Sequence, residues 1–285
     1  MSKITRMLFL PNVTRRAILI GCPGQRHFNY LLGVRPDLRN IAEFLCSERG
    51  GKFFPNEITV ISDATLPQVS EAIHSGAADY TLVYFSGHGY TDMEGHRMLC
   101  LQDCSIPDTF LLDQSPRQLI IADACRNYRA GDAIGTISGL SDLYDNFAGS
   151  PVRDLFDNWI TSSPYGKIII HATVAGTSAG DTKTGGIFTK SLLSTAQNLF
   201  TEWGYAPVAP NYMIAQLCET LNTQIPQIVY SVGDLTVPLV VAKPYERVPA
   251  YVTSGGSLQP QASTPGTGAM LFTLGLILVG IALVK

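Results

Sequence analysis

The sequence predicts an α/β fold with a mostly parallel central sheet flanked by helices. Two observations carry this: several short runs are apolar at consecutive positions, and amphipathic helical segments separate them. A strand that lacks polar alternation must bury both faces, so helices have to cover the sheet above and below.

The elements follow in order. "RRAILIGC", Arg15 to Cys22, is a β-rich run behind two basic residues. In "RPDLRNIAEFLCSERGG", Leu38, Ile41, Ala42 and Leu45 fall on one helical face, Pro36 suits a first turn, and Gly50 and Gly51 form the stop. "EITVIS" reads as a second strand and "LPQVSEAIHSG" as a short helix. The third, fourth and fifth strands are "YTLVYFSG", "RQLIIADAC" and "GKIIIHAT". Helical segments follow at "GIFTKSLLSTAQNLF" and "NYMIAQLCETLN", then short β candidates at "PQIVYS" and "TVPLVVA". The stretch from Arg126 to Gly166 is long and poorly periodic.

The chain of 285 residues has ample length to bury a core, and residues 1–250 read as one folded domain. A formal charge of −3 and the lack of a basic cluster argue against nucleic-acid binding. The six cysteines are irregularly spaced, which suits a reducing compartment, and Cys100 and Cys104 have no second Cys or His pair to complete a zinc site. No metal or cofactor is therefore expected. Composition changes at residues 251–268, "YVTSGGSLQPQASTPGTG", which is uncharged, rich in Ser, Gly, Thr and Pro, and reads as a flexible linker. Residues 269–285 are apolar from Ala269 to Val284 and read as a transmembrane anchor. At about 1.5 Å per residue this run reaches about 24 Å, a short span against a hydrocarbon core of about 30 Å. The expected placement is a single-pass, tail-anchored membrane protein with the folded domain facing the cytosol.

In open α/β sheets a ligand lies beyond the carboxyl ends of the strands. His88 stands just past the third strand in "FSGHG", and Cys125 just past the fourth in "IIADACRN". A free thiol has a pKa of about 8.5, so a thiol nucleophile at neutral pH needs a base. A histidine between two glycines at the same sheet edge is placed to be that base. The backbone N–H groups of Gly89 and Cys125 are candidates for an oxyanion hole.

"VYFSGHG" followed by "IIADACRN" resembles the caspase-like cysteine peptidases, in which one strand ends in the base and another in the nucleophile. Asp123, where caspases carry glutamine, points to the metacaspase and bacterial caspase-like branch; the usual Ser-Gly after the cysteine is absent. "RRAILIGC" is similar to the family's opening strand, "VRPDLRNIAEFL" to its first helix, and "IIIHATVAGTSAGDTKTGGIFTKSLL" to its later strand, loop and helix. The resemblance covers Arg15 to Ala242 and implies a three-layer sandwich and a cysteine endopeptidase acting on protein or peptide substrates. It also implies that Asp123 lines the pocket for the residue before the scissile bond and selects Arg or Lys, a choice that suits a carboxylate. The second acidic position of that pocket is looked for in "VAGTSAGD", where Val174 and Ala175 stand and Asp181 is the substitute.

Arg129 and Arg153, in the segment between the fourth and fifth strands, are candidates for self-cleavage. Calcium dependence occurs among the metacaspases, and nothing in the sequence requires it. His96 reads as a surface hairpin residue and His171 as a core histidine. Two rival readings are a catalytically silent, membrane-bound interaction module of the same fold, and an esterase or transpeptidase using the same dyad.

Overall fold

A computed structural model describes residues 13–24, 29–127, 150–202, 204–222, 224–233 and 237–245. The linker at 251–268, the apolar run at 269–285 and Arg129 lie outside these residues. Among the described residues, no helix is long and apolar enough to cross a membrane.

The central sheet has six strands. β1 (Arg15–Cys22), β2 (Ile58–Ser62), β3 (Tyr80–Gly87), β7 (Arg117–Ala124), β8 (Gly166–His171) and β13 (Gln227–Gly233) stand in the order β13-β8-β7-β3-β1-β2. Five of them run parallel, and β13 pairs antiparallel with β8. The chain moves from β1 outward to β2, then returns to place β3 on the other side of β1. That reversal opens a crevice at the carboxyl ends of β1 and β3.

Side chains along each strand sort by the two-residue period into two cores. On one face, Leu19, Tyr84, Ile121 and Ile170 pack against α1 (Val34–Cys46), α3 (Pro151–Ser162), α4 (Ile187–Gln197) and α5 (Pro210–Thr220). On the other, Ile20, Phe85, Ile120 and Ile169 pack against α2 (Leu66–His74) and a small antiparallel sheet. That sheet is β4 (Gly89–Thr91), β5 (Arg97–Cys100) and β6 (Ser105–Pro107). Layers above and below the parallel sheet give the three-layer sandwich that the sequence predicts. Two short elements between β8 and α4, β9 (Asp181–Thr182) and β10 (Gly185–Gly186), form a hairpin. A further small sheet joins β11 (Phe200–Thr201), β14 (Val240–Pro244) and β12 (Ala206–Val208).

The segment between β7 and β8 departs from its reading as aperiodic. It contains α3, whose Val152, Phe156 and Ile160 are spaced four apart and buried. Polar residues outnumber this narrow stripe, so the period is faint in the sequence. Pro151 occupies the first turn, and Arg15 on β1 donates to Asp157 at 2.5 Å.

Arg153 lies within this helix and is a poor cleavage site there. Its guanidinium donates to both carboxylate oxygens of Glu57, at 2.6 and 2.8 Å, and stacks 3.7 Å from the Phe54 ring centroid. A peptidase needs an extended backbone, and helical hydrogen bonding together with this ion pair withholds it. Phe156→Ala removes the centre of the stripe and should cost about 3–5 kcal/mol. A urea midpoint equal to that of the wild type would show that α3 does not support the core.

Candidate active site

β3 and β7 pair in register, with Gly87 opposite Ala124. The next residues, His88 and Cys125, therefore leave the sheet side by side from strands about 4.8 Å apart. Every residue of both strands is buried, so His88 and Cys125 follow strands that are packed along their whole length.

The group that orients His88 is a backbone carbonyl. The His88 Nε2 lies 2.7 Å from the oxygen of Asn29, in the loop leaving β1. A carbonyl only accepts, so Nε2 carries the proton and Nδ1 keeps the basic lone pair. Residue type could not have revealed Asn29, because its main chain makes the contact.

Cys125 is half-buried, and its sulfur lies 3.5 Å from the carbonyl oxygen of Ala179. Burial pushes its pKa up, and the nearby Asp123 and Asp181 add to the rise. The thiol is thus protonated at neutral pH and needs a base to become a nucleophile. Cys22, at the end of β1, is more deeply buried, and its pKa is held far above the ordinary thiol range.

The strand after His88 turns alternate amides away from β5 and toward the segment after β7. Cys100 N–H donates to His88 O at 2.9 Å, which marks these two residues as a hydrogen-bonded pair of β4 and β5. By the alternation of an antiparallel ladder, the N–H groups of Gly89 and Thr91 face away from β5. Thr91 N–H accordingly donates to Asn127 O at 3.0 Å, and Gly89 N–H lies on the same side of the strand two residues earlier. A Cβ at residue 89 would lie 2.9 Å from each of Cys125 O, Ala124 Cβ and Met98 O, so only glycine admits this approach.

Two carboxylates converge on the start of α4. Asp123 is 6 % exposed, and its Oδ2 accepts from Thr189 N at 3.2 Å and Thr189 Oγ1 at 2.6 Å. Asp37, 1 % exposed, accepts from Gly186 N at 2.9 Å and Ser86 Oγ at 2.9 Å. A Cβ on Gly186 would lie 2.4 Å from Asp123 Oδ2 and 3.2 Å from Asp37 Oδ2. Burial, followed by the charge of Asp123, raises the Asp37 pKa to about 7; burial raises that of Asp123 to about 6.

The acid buried beside Asp123 is Asp37 on α1, a residue the sequence reading did not name. Asp181, in the loop to which that reading looked, is exposed; its charge adds to the rise of both acids, and it accepts from Gly33 N at 3.0 Å, which ties the β9–β10 hairpin to the start of α1. A signal for Asp37 was present, since it lies on the buried helical stripe beside Leu38 and Ile41. A lone carboxylate on an apolar face needs partners, and Gly186 and Ser86 supply them.

Other histidines have structural partners. His171 is buried with its Nε2 3.0 Å from Asp108 Oδ2, and burial lowers its pKa. His96, at the β4–β5 turn, pairs with Asp92 at 2.9 Å. Together with Glu94 these two place three donor atoms within 4.8 Å of one another on the surface.

Comparison with known proteins identifies the family to which this fold belongs. The family model of the caspase domain matches residues 14–232. Among solved structures, the protein GSU0716 of Geobacter sulfurreducens is similar with a TM-score of 0.55 at 18% identity, covering 81% of this chain and 100% of its own. Caspase-1 of Spodoptera frugiperda is similar with a TM-score of 0.51 at 17% identity, covering 79% of this chain and 91% of its own. No curated protein matches the sequence. The likeness to the two solved structures is one of fold; the match over residues 14–232 establishes that the chain belongs to the caspase domain family of cysteine peptidases.

Proposed function

We propose that the protein is an endopeptidase that uses Cys125 and His88 to cleave after Arg or Lys. The observation that carries this reading is the side-by-side exit of His88 and Cys125 from in-register strands, with Asn29 fixing the basic nitrogen of His88. His88 Nδ1 takes the thiol proton, and the sulfur attacks the substrate carbonyl carbon. The N–H groups of Gly89 and Cys125 hold the resulting oxyanion. His88 then gives its proton to the leaving amine, and water attacks the thioester with His88 again as base.

The preference for a basic side chain rests on Asp37 and Asp123. Two buried carboxylates cannot both ionise cheaply, and a guanidinium between them makes both charges favourable. An acidic side chain would meet like charge. Self-cleavage remains a proposal for Arg129, in the segment between β7 and α3. The apolar run from Ala269 to Val284 supports membrane tethering of the domain.

A fluorogenic peptide scan, run with and without calcium, tests the specificity. Cleavage after Arg or Lys is the expected result, and cleavage only after Asp would overturn the reading. A P1-arginine acyloxymethyl ketone should label Cys125 in the wild type, and His88→Ala should lower hydrolysis by about 10²–10⁴-fold. Absence of both labelling and hydrolysis would instead favour a silent interaction module.

Asp37→Asn should raise KM for arginine substrates more than it lowers kcat. It also has a pH signature. A carboxyl whose pKa is raised to about 7 on folding contributes stability below the unfolded value of about 4, and loses it as pH rises through 7. Relative to Asp37→Asn, the unliganded wild type should therefore lose on the order of 3 kcal/mol between pH 4 and pH 8. Parallel stability curves across that window would show that Asp37 is not held protonated.

A further inference from the structure

Directly after Cys125 the chain pairs with the loop that follows β8. Arg126 N–H donates to Thr177 O at 2.9 Å, and Gly176 N–H donates to Arg126 O at 2.8 Å. The loop is braced from within, because the Thr177 hydroxyl donates to Val174 O at 2.7 Å and also bonds the Thr173 hydroxyl. The buried Arg126 side chain adds a hold from below through Gln227 Oε1 at 2.5 Å and Thr173 O at 3.3 Å. This pairing sets Ser178 beside both Cys125 and Asn127.

Asn127 Nδ2 donates to Ser178 Oγ at 2.8 Å, and Ser178 stands between Thr177, whose carbonyl pairs with Arg126 N–H, and Ala179, whose carbonyl oxygen lies 3.5 Å from the Cys125 sulfur, so its hydroxyl is within range to lower the Cys125 pKa. The amide nitrogen is donor-only, so it occupies a lone pair of Ser178 and leaves the hydroxyl proton for the sulfur. In the neutral thiol, S–H points toward Ala179 O, 3.5 Å away. Once that proton has passed to His88, the sulfur has nothing to donate and becomes an acceptor.

We infer that Ser178, oriented by Asn127, is a positioning residue that holds the Cys125 sulfur by an O–H···S hydrogen bond as its proton leaves for His88. The inference deepens the proposed function, since it assumes that Cys125 is the nucleophile. The need for such a donor is local. Cys125 stands among Asp123, Asp181 and buried surroundings that all disfavour a sulfur anion. Ser178 is exposed, so its effect is the advantage of a fixed donor over mobile water.

The test is the pH dependence of Cys125 alkylation by iodoacetamide, followed on the Cys125 peptide by mass spectrometry. Ser178→Ala should move the midpoint up by about half a pH unit and slow alkylation at pH 7 about threefold. Ser178→Thr keeps the hydroxyl and should restore the wild-type midpoint. Asn127→Asp offers Ser178 an acceptor in place of a donor, and should also raise the midpoint. A wild-type midpoint in Ser178→Ala would overturn the inference, and one in Asn127→Asp would remove the orienting role of Asn127. Alkylation requires no substrate, so the two readings can fail separately. A shifted midpoint in a protein that cleaves no peptide would keep the role of Ser178 and sink the peptidase reading. Peptide cleavage with an unshifted midpoint would do the reverse.

Discussion

The site depends on the in-register pairing of two parallel strands that are buried on both faces. Because the side-chain period of a strand is two, a slip of one residue would turn His88 or Cys125 to the opposite face of the sheet. The dense apolar packing above and below forbids that slip, since it would push Tyr84, Phe85, Ile120 and Ile121 out of their cores. Positional accuracy at the edge is thus a by-product of burial in the middle. The loop leaving β1 then needs to supply only a backbone group, the carbonyl of Asn29.

Burial also sets the resting charge of the site. The thiol of Cys125 and the carboxyls of Asp37 and Asp123 are all pushed toward their neutral forms, in each case chiefly by desolvation. A site that holds its charges back at rest does not have to solvate them. In the proposed function a basic side chain would bring the counter-charge that lets the acids ionise, which would make binding and ionisation parts of one event.

Much of this fold was legible because its strands are long, apolar and separated by striped helices. The five parallel strands and the helices at 34–46, 66–74, 187–197 and 210–220 follow directly from that pattern. The helix at 151–162 was hard to see because its buried stripe is one residue wide in a polar segment. The placement of His88 and Cys125 at the ends of neighbouring strands was legible from the strand pattern. Asn29 was not, since a main-chain carbonyl leaves no mark on residue identity. Asp37 fell between these cases. It sits on an apolar stripe where a carboxylate is out of place, but its neighbours Ser86, Asp123 and Gly186 come from distant parts of the chain. Only the folded arrangement brings them together.

The two buried acids also hold the beginning of α4, Asp37 through Gly186 N–H and Asp123 through Thr189 N–H and its hydroxyl. The same carboxylates that would read a substrate therefore fasten a helix to the sheet. Swapping either for a basic or bulky residue to change the preferred substrate would also unfasten that helix. If these acids set the preference, as proposed, it would be hard to alter one substitution at a time. A change of taste would have to evolve together with a new way of anchoring α4.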